Sequence, residues 1–216
     1  MTSPKVVAVV PAFNEAQTIG AAIAGLLPHV SRVIVVDDRS TDGTGDIAQR
    51  AGAEVVRHSE NQGYDASLND GFKAAASSGA DIIFTFDADG EHDAADVPRI
   101  LAPLLTDEAD IALGQRPRTR HLGEDIFAAY TRSRFGIRDP LCGLKAYRRS
   151  VYNAVGFFDS LSSIGTELTI RGIRKGFRVV LVPVALRPRL DTSRFYASRF
   201  RGTMRMLRAL ARIMSL

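Results

Sequence analysis

Short apolar runs alternate along this chain with longer segments whose apolar residues recur every three to four positions. Lys5–Val10, Arg32–Val36, Glu54–Arg57 and Ile82–Phe86 have the β-rich, uninterrupted character of strands buried in a parallel sheet. The segments between them predict helices from Asn14 to about Leu27, over Gly45–Ala51 and over Tyr64–Ser78. Pro11 is expected to take the first strand out of the sheet, Pro28 to stop the first helix, and Gly52 and Gly79 to close the next two. The first 92 residues thus read β-α-β-α-β-α-β, a doubly wound nucleotide-binding half.

Beyond residue 92 the pattern predicts helices over Ala94–Leu105, Glu124–Arg134, Arg149–Val155 and Thr166–Lys175. Strands are expected at Ile111–Gly114, Lys145–Tyr147 and Phe177–Pro183. Arg116–Gly123 is a basic loop, and Asp139–Gly143 an irregular one. No repeat or low-complexity linker divides the chain. The expectation is one α/β domain over residues 1–192 with a mainly parallel sheet, and a basic amphipathic helix over 193–216 attached to it.

With 216 residues there is room for a full core, and the single cysteine, Cys142, excludes an internal disulfide and fits a reducing compartment. The first apolar run is too short for a signal-peptide core, and no apolar stretch reaches the roughly 18 residues of a spanning helix. A cytoplasmic protein is expected. Charge is unevenly spread: from Arg171 to the end there are twelve basic residues against the single acid Asp191. Such asymmetry points to an anionic partner, whether phosphate, nucleic acid or membrane surface.

The chemistry concentrates at strand ends. Asp87, Asp89 and Glu91 follow the fourth strand, where open α/β sheets bind ligands. Three carboxylates there repel one another unless a cation lies between them, and oxygen ligands suit Mg²⁺ or Mn²⁺. A solvated acidic turn is the plainer alternative. Asp37 and Asp38 end the second strand, so both acidic pairs belong on one rim. Asp38 suits a ribose or base; the alternative is a helix cap ahead of Ser40-Thr41. Phe13 either lines a base pocket or packs as a hydrophobic staple. Acidic strand ends also argue against nucleic acid as the partner of the basic tail.

Pro11-Ala12-Phe13-Asn14-Glu15, Val36 to Thr44, Asn61-Gln62-Gly63 and Asp87-Ala88-Asp89 together resemble the family 2 glycosyltransferases of type A fold, over about 150 residues in the right order. Within that family the chain looks most like dolichyl- or polyprenyl-phosphate hexosyltransferases, through Asp139–Gly143, Glu167-Leu168, Gly176–Pro183 and a basic segment near Ser193-Arg194. The resemblance implies that Pro11, Phe13, Glu15 and Asp38 contact the donor nucleoside and that Asp87 binds near the sugar-phosphate. It assigns metal to Asp89 and Glu91, the latter where a glutamine is often found. It places Arg116 at the acceptor phosphate, with Arg132 or Arg134 as a second phosphate ligand. Many inverting members carry a Glu-Asp pair whose Asp is the general base; here that region is Ser163-Ile164-Gly165-Thr166. Glu167 is either a substitute base or a structural acid at a helix start.

A phosphate acceptor is already an oxyanion and needs positive charge rather than a base, which Arg116, Arg118 and Arg120 offer. The expected activity is therefore inverting, metal-dependent hexose transfer from a nucleotide-sugar, of GDP-mannose or UDP-glucose type, to a polyprenyl phosphate. A sugar-hydroxyl acceptor and a non-catalytic nucleotide-sugar-binding protein are the alternatives. In the tail, Tyr196, Phe200, Met204, Leu207, Ala211 and Met214 fall on one helical face beside Arg201, Arg205, Arg208 and Arg212. That helix either packs on the core or lies on the anionic inner face of the membrane.

Overall fold

A computed structural model describes residues 3–117, 122–187 and 199–216. Seven strands form one sheet: β1 (Val6–Ala12), β2 (Arg32–Asp37), β3 (Glu54–Arg57), β4 (Ile82–Thr85), β5 (Ile111–Gln115), β6 (Lys145–Arg148) and β7 (Val179–Pro183). Their order is β3-β2-β1-β4-β6-β5-β7, and all neighbours are parallel except β6, which runs against both β4 and β5. The mixed sheet agrees with the expected mainly parallel α/β class.

The helices are α1 (Ile19–Leu26), α2 (Thr44–Arg50), α3 (Tyr64–Ser77), α4 (Val97–Leu105), α5 (Leu122–Phe135), α6 (Arg149–Val155), α7 (Glu167–Arg174) and α8 (Arg199–Met214). They cover both sheet faces. Alternation along β1 sends Val6, Ala8 and Val10 into a core with Ile19, Ile23, Leu101 and Leu104, and Val7 and Val9 into a second core with Phe72, Phe158 and Leu168. Both cores are needed to bury strands that are apolar on two sides.

Strand β1 continues through Pro11, contrary to expectation, pairing Pro11 with Val36 and Ala12 with Asp37. Val9 bonds toward β4, accepting from Phe86, so Pro11 two residues on also faces that side. Strand β4 has ended by then, and the proton that proline lacks is not missed. Helix α1 starts at Ile19 rather than Asn14. The N–H groups of Asn14, Glu15 and Ala16 bond instead to Ser40 Oγ, Thr44 Oγ1 and Asp42 Oδ2, and Asn14 takes a left-handed φ of 54°. The loops after β1 and β2 are thereby knitted into one rim. That rim flanks the point between β1 and β4 where the strand order reverses.

Candidate active site

At this reversal lies a cavity of about 410 Å³, the size of small-molecule sites. Strand β1 delivers Pro11, Ala12, Phe13 and Glu15; β2 delivers Asp38; the loop after β4 delivers Asp87, Asp89 and Glu91; and β5 delivers Arg116. Eight residues singled out from sequence therefore meet in one place. Six lining side chains are carboxylates, counting Glu124, and two are arginines, Arg116 and Arg205.

Asp38 is buried, and both its oxygens are engaged. Oδ1 accepts from the N–H of Gln62 at 2.7 Å and Oδ2 from that of Gly63 at 2.8 Å, while His58 Nδ1 stands 2.8 Å from Oδ1. His58 bridges on to Asp70, 3.2 Å away. The Asn61-Gln62-Gly63 turn is thus anchored on Asp38, which ties two of the sequence motifs into one wall. Asp37 does not cap α2; it accepts the N–H of Ser40, and Asp42 takes the N–H of Thr44.

The three carboxylates after β4 do not gather around one point. No three His, Cys, Asp or Glu among the described residues form a metal-ligand cluster. Asp87 draws its counter-charge from the protein instead: Tyr64 donates to Oδ1 at 3.2 Å, and His92 Nε2 lies 3.6 Å from Oδ2. Burial alone would raise its carboxyl, but His92, with Tyr64 and the buried Lys145 behind, holds it below the ordinary value. Reciprocally, burial would lower His92, and Asp87 and Asp89 outweigh it, leaving the ring raised. Backbone fixes the position. Thr85 Oγ1 donates to the Gly143 carbonyl at 2.6 Å, and a Cβ on Gly143 would overlap the Asp87 carboxylate. The Asp139–Gly143 loop is therefore the floor beneath Asp87.

Asp89 and Glu91 are the other two carboxylates of this loop. The Asp89 carboxylate accepts the N–H of Glu91 at 3.0 Å, and both residues line the cavity. Two hard carboxylates fit Mg²⁺ or Mn²⁺, which commonly take one or two protein oxygens and complete their shell with substrate phosphates. The chain after β7 secures this loop: Arg187 N–H donates to the Glu91 carbonyl, and Ala185 N–H to Asp96.

Arg116 lines the cavity but is not a bare cation. Its Nε and Nη2 grip the two oxygens of Asp139 at 2.7 Å each, and Nη2 also donates to Glu124 at 3.0 Å. Burial opposes its charge, and these two carboxylates more than offset that, raising its pKa. Arg118 and Arg120 lie outside the described residues, as do Ser193, Arg194 and Tyr196. Arg132 and Arg134 are exposed on α5 and do not line the cavity. Cys142 is buried, its thiol pushed up to about 12 by desolvation, which suits packing rather than chemistry.

Glu167 is fully buried and does not line the cavity. It accepts from the N–H groups of Ser160 and Leu161 and pairs with Arg171 Nε at 2.6 Å, so of the two alternatives the structure places it as a helix-start acid. Just before it, Asp159 gathers the N–H groups of Leu161, Ser163 and Gly165. This forces Ser162 and Ile164 to φ values of 51° and 58°. A β-branched residue in that region is strained, and Ile164 is the part of the loop that reaches the cavity.

The C-terminal helix packs on the core, through a different face from the one expected. Met206, Ala209, Leu210 and Ile213 are buried, whereas Ala211 and Met214 are exposed. Both sets have helical spacing, and contact with α5 selects between them. Arg205 and Met206, which carried no site signal in the sequence beyond their place in a basic helix, line the cavity. His92, Tyr64 and Lys145 were also missed; for His92 the available signal was its place directly after Glu91.

The glycosyl transferase family 2 profile matches residues 7–165. An undecaprenyl-phosphate mannosyltransferase of Micrococcus luteus is 30% identical over 203 residues, covering 83% of this chain and 82% of the relative. A polyprenol monophosphomannose synthase of Mycolicibacterium smegmatis is 30% identical over 222 residues, covering 91% and 83%. Glucosyl-3-phosphoglycerate synthase of Mycobacterium tuberculosis, solved with Mn²⁺ and UDP-glucose, superposes with a TM-score of 0.77 at 23% identity, over 98% of this chain and 79% of that one. At that identity the likeness shows the fold. The chain belongs to glycosyl transferase family 2 and is a glycosyltransferase of type A fold.

Proposed function

We propose that this enzyme transfers a hexose from a nucleotide-sugar to a polyprenyl phosphate with inversion at the anomeric carbon. The observation that carries the proposal is the composition of one cavity: strand-end carboxylates together with two arginines, Arg116 and Arg205, and no acid among Ser163-Ile164-Gly165-Thr166, where the family resemblance would put the base. Phe13, Glu15 and Asp38 are at the β1–β2 end and are assigned the donor nucleoside, with Pro11 beneath them. Asp87 is assigned the sugar-phosphate, its negative charge held by His92 and Tyr64. Asp89 and Glu91 would hold Mg²⁺ or Mn²⁺, which when bound supplies charge neutralisation for the diphosphate leaving group.

The acceptor assignment follows from what is available to take a proton. An alcohol needs a positioned base, worth roughly 10²–10⁴-fold in rate. Glu167 is committed to Ser160, Leu161 and Arg171. Asp65 accepts the N–H of Gly165 but does not line the cavity. A phosphate acceptor makes that base unnecessary, and the undecaprenyl phosphate in one relative's name and the polyprenol monophosphomannose in the other's are in keeping with it. The lipid tail would lie at a membrane surface. No helix among the described residues is long and apolar enough to cross one; the outer face of α8, with Arg208 and Ala211 exposed and Met214 at its edge, is proposed to rest on anionic lipid.

The test is a donor panel. Purified protein with Mn²⁺ is incubated with different nucleotide-sugars and undecaprenyl phosphate in detergent, and the lipid product is followed by mass spectrometry. One nucleotide-sugar should give hexosyl-phosphoryl-polyprenol; a protein that binds a donor and turns over none would favour the non-catalytic alternative.

A further inference from the structure

Arg116 enters the site already held by two carboxylates, Asp139 and Glu124. The cavity's second arginine comes from α8. Arg205 is exposed, while the neighbouring Met206 is buried against α5 beside Gly123. A Cβ on Gly123 would stand 2.9 Å from the Met206 sulfur and 3.4 Å from Thr203 Cα, so this glycine lets the two helices approach closely and sets Arg205 at the cavity.

Two further interactions bear on its place. Seven residues on, and so on the same side of the helix, Arg212 donates to the Leu161 carbonyl at 2.8 Å. Arg205 also acts on Asp65, the residue that accepts the Gly165 N–H. Helix α8 therefore runs along the 159–165 loop, whose Ile164 lines the cavity. In sheet order this is the β6–β5 half, across the crevice from the β1–β2 end assigned to the nucleoside.

We propose that Arg205 binds the phosphate of the acceptor, completing with Arg116 an anion subsite on the α8 side of the cavity. This rests on the phosphate acceptor proposed above and replaces Arg132 and Arg134 as the second cation. An arginine matches a phosphate with a planar fork of donors. Because Arg205 is on the helix proposed to meet lipid, the same element would bring the headgroup down to the reacting centre.

The experiment compares wild type, Arg205→Ala and Arg205→Lys, using farnesyl phosphate as a short soluble prenyl phosphate. Steady-state rates are taken with acceptor varied at saturating donor, then with donor varied. Farnesyl phosphate and nucleoside diphosphate binding are measured separately by calorimetry. Arg205→Ala should raise the acceptor KM and the farnesyl phosphate Kd by about ten- to a hundredfold, the loss of a charged hydrogen bond. Donor KM and nucleoside diphosphate affinity should stay within about twofold, and Arg205→Lys should recover part of the loss. An unchanged acceptor KM and Kd would overturn the assignment, as would a loss confined to donor or nucleoside diphosphate. If wild type turns over no prenyl phosphate, the proposed reaction fails; farnesyl phosphate binding that Arg205→Ala abolishes would still support the subsite, and no such binding would remove it as well.

Discussion

Arg116 and Asp139 form a two-pronged ion pair, with Nε and Nη2 each 2.7 Å from a carboxylate oxygen and the Arg116 N–H donating to the same carboxylate at 3.1 Å. Both side chains are largely buried, as is the Glu124 carboxylate that joins them. The pair ties the end of β5 to the loop that underlies Asp87.

Arg116→Ala should accordingly be a stability defect as well as an activity defect. It strands two buried carboxylates, and breaking such a pair costs about 3–5 kcal/mol. Denaturant melts should show that loss for Arg116→Ala, and a smaller one for Arg116→Lys. A melt unchanged from wild type in Arg116→Ala would mean that the pair does not hold the loop.

Asp89→Asn keeps the side chain's size and an acceptor oxygen for the Glu91 N–H at a partly exposed position, so the melt should stay within about 1 kcal/mol of wild type. The stabilisation by Mn²⁺ together with a nucleoside diphosphate should disappear, since that linkage depends on the bound complex. Persistence of the Mn²⁺-dependent thermal shift in Asp89→Asn would remove the metal assignment.

Glu167→Gln keeps an acceptor oxygen for the Ser160 and Leu161 N–H groups but loses the charge facing Arg171. The variant should be less stable by about 1–3 kcal/mol and, below its melting range, should retain most of the wild-type kcat. A folded variant with kcat down a hundredfold or more would identify Glu167 as a base.

Asp65 gives a pH signature. Burial and the neighbouring Asp159 raise its carboxyl to about 6, against the pull of Arg205 and the Gly165 N–H. A carboxyl whose folded pKa exceeds its unfolded value favours the native state at low pH, and that contribution is lost as pH rises from about 4 through about 6. Asp65→Asn removes the titration while keeping an acceptor for Gly165. Relative to wild type it should gain stability between pH 4.5 and 7.5, by on the order of 2 kcal/mol. Parallel stability curves for the two proteins across that interval would contradict the assignment.

The central fold is legible in the sequence because buried parallel strands are contiguous apolar runs, and Val6–Val10, Val33–Val36 and Ile82–Phe84 read that way at sight. Phe13, Asp38, Asp87, Asp89 and Glu91 are legible for a related reason, because strand ends on one rim share a crevice, whereas Pro11, Glu15 and Arg116 come from the family resemblance. The start of α1 is not, because Ile19, Ile23 and Leu26 have the same spacing whether the helix begins at Asn14 or Ile19. What decides is a set of hydrogen bonds to residues 26 to 29 positions away. The same holds for α8, where Met204-Leu207-Ala211 and Met206-Ala209-Ile213 are equally helical sets. Only contact with α5 buries the second and turns Arg205 into the site. Asp87 belongs with the metal ligands by spacing, and His92 and Tyr64 take it out of that group through tertiary contacts.

The central claim is that the attacking group is a phosphate oxygen. The most direct measurement places undecaprenyl phosphate and undecaprenol side by side, in the same detergent and at the same concentration, with one labelled nucleotide-sugar and Mn²⁺, and compares initial rates of label entering lipid. The phosphate should be glycosylated and the alcohol should not, with a ratio of at least about 10², the rate worth of a positioned base. Equal or faster transfer to undecaprenol, or to a sugar hydroxyl offered in its place, would contradict the phosphate acceptor while leaving the family assignment intact.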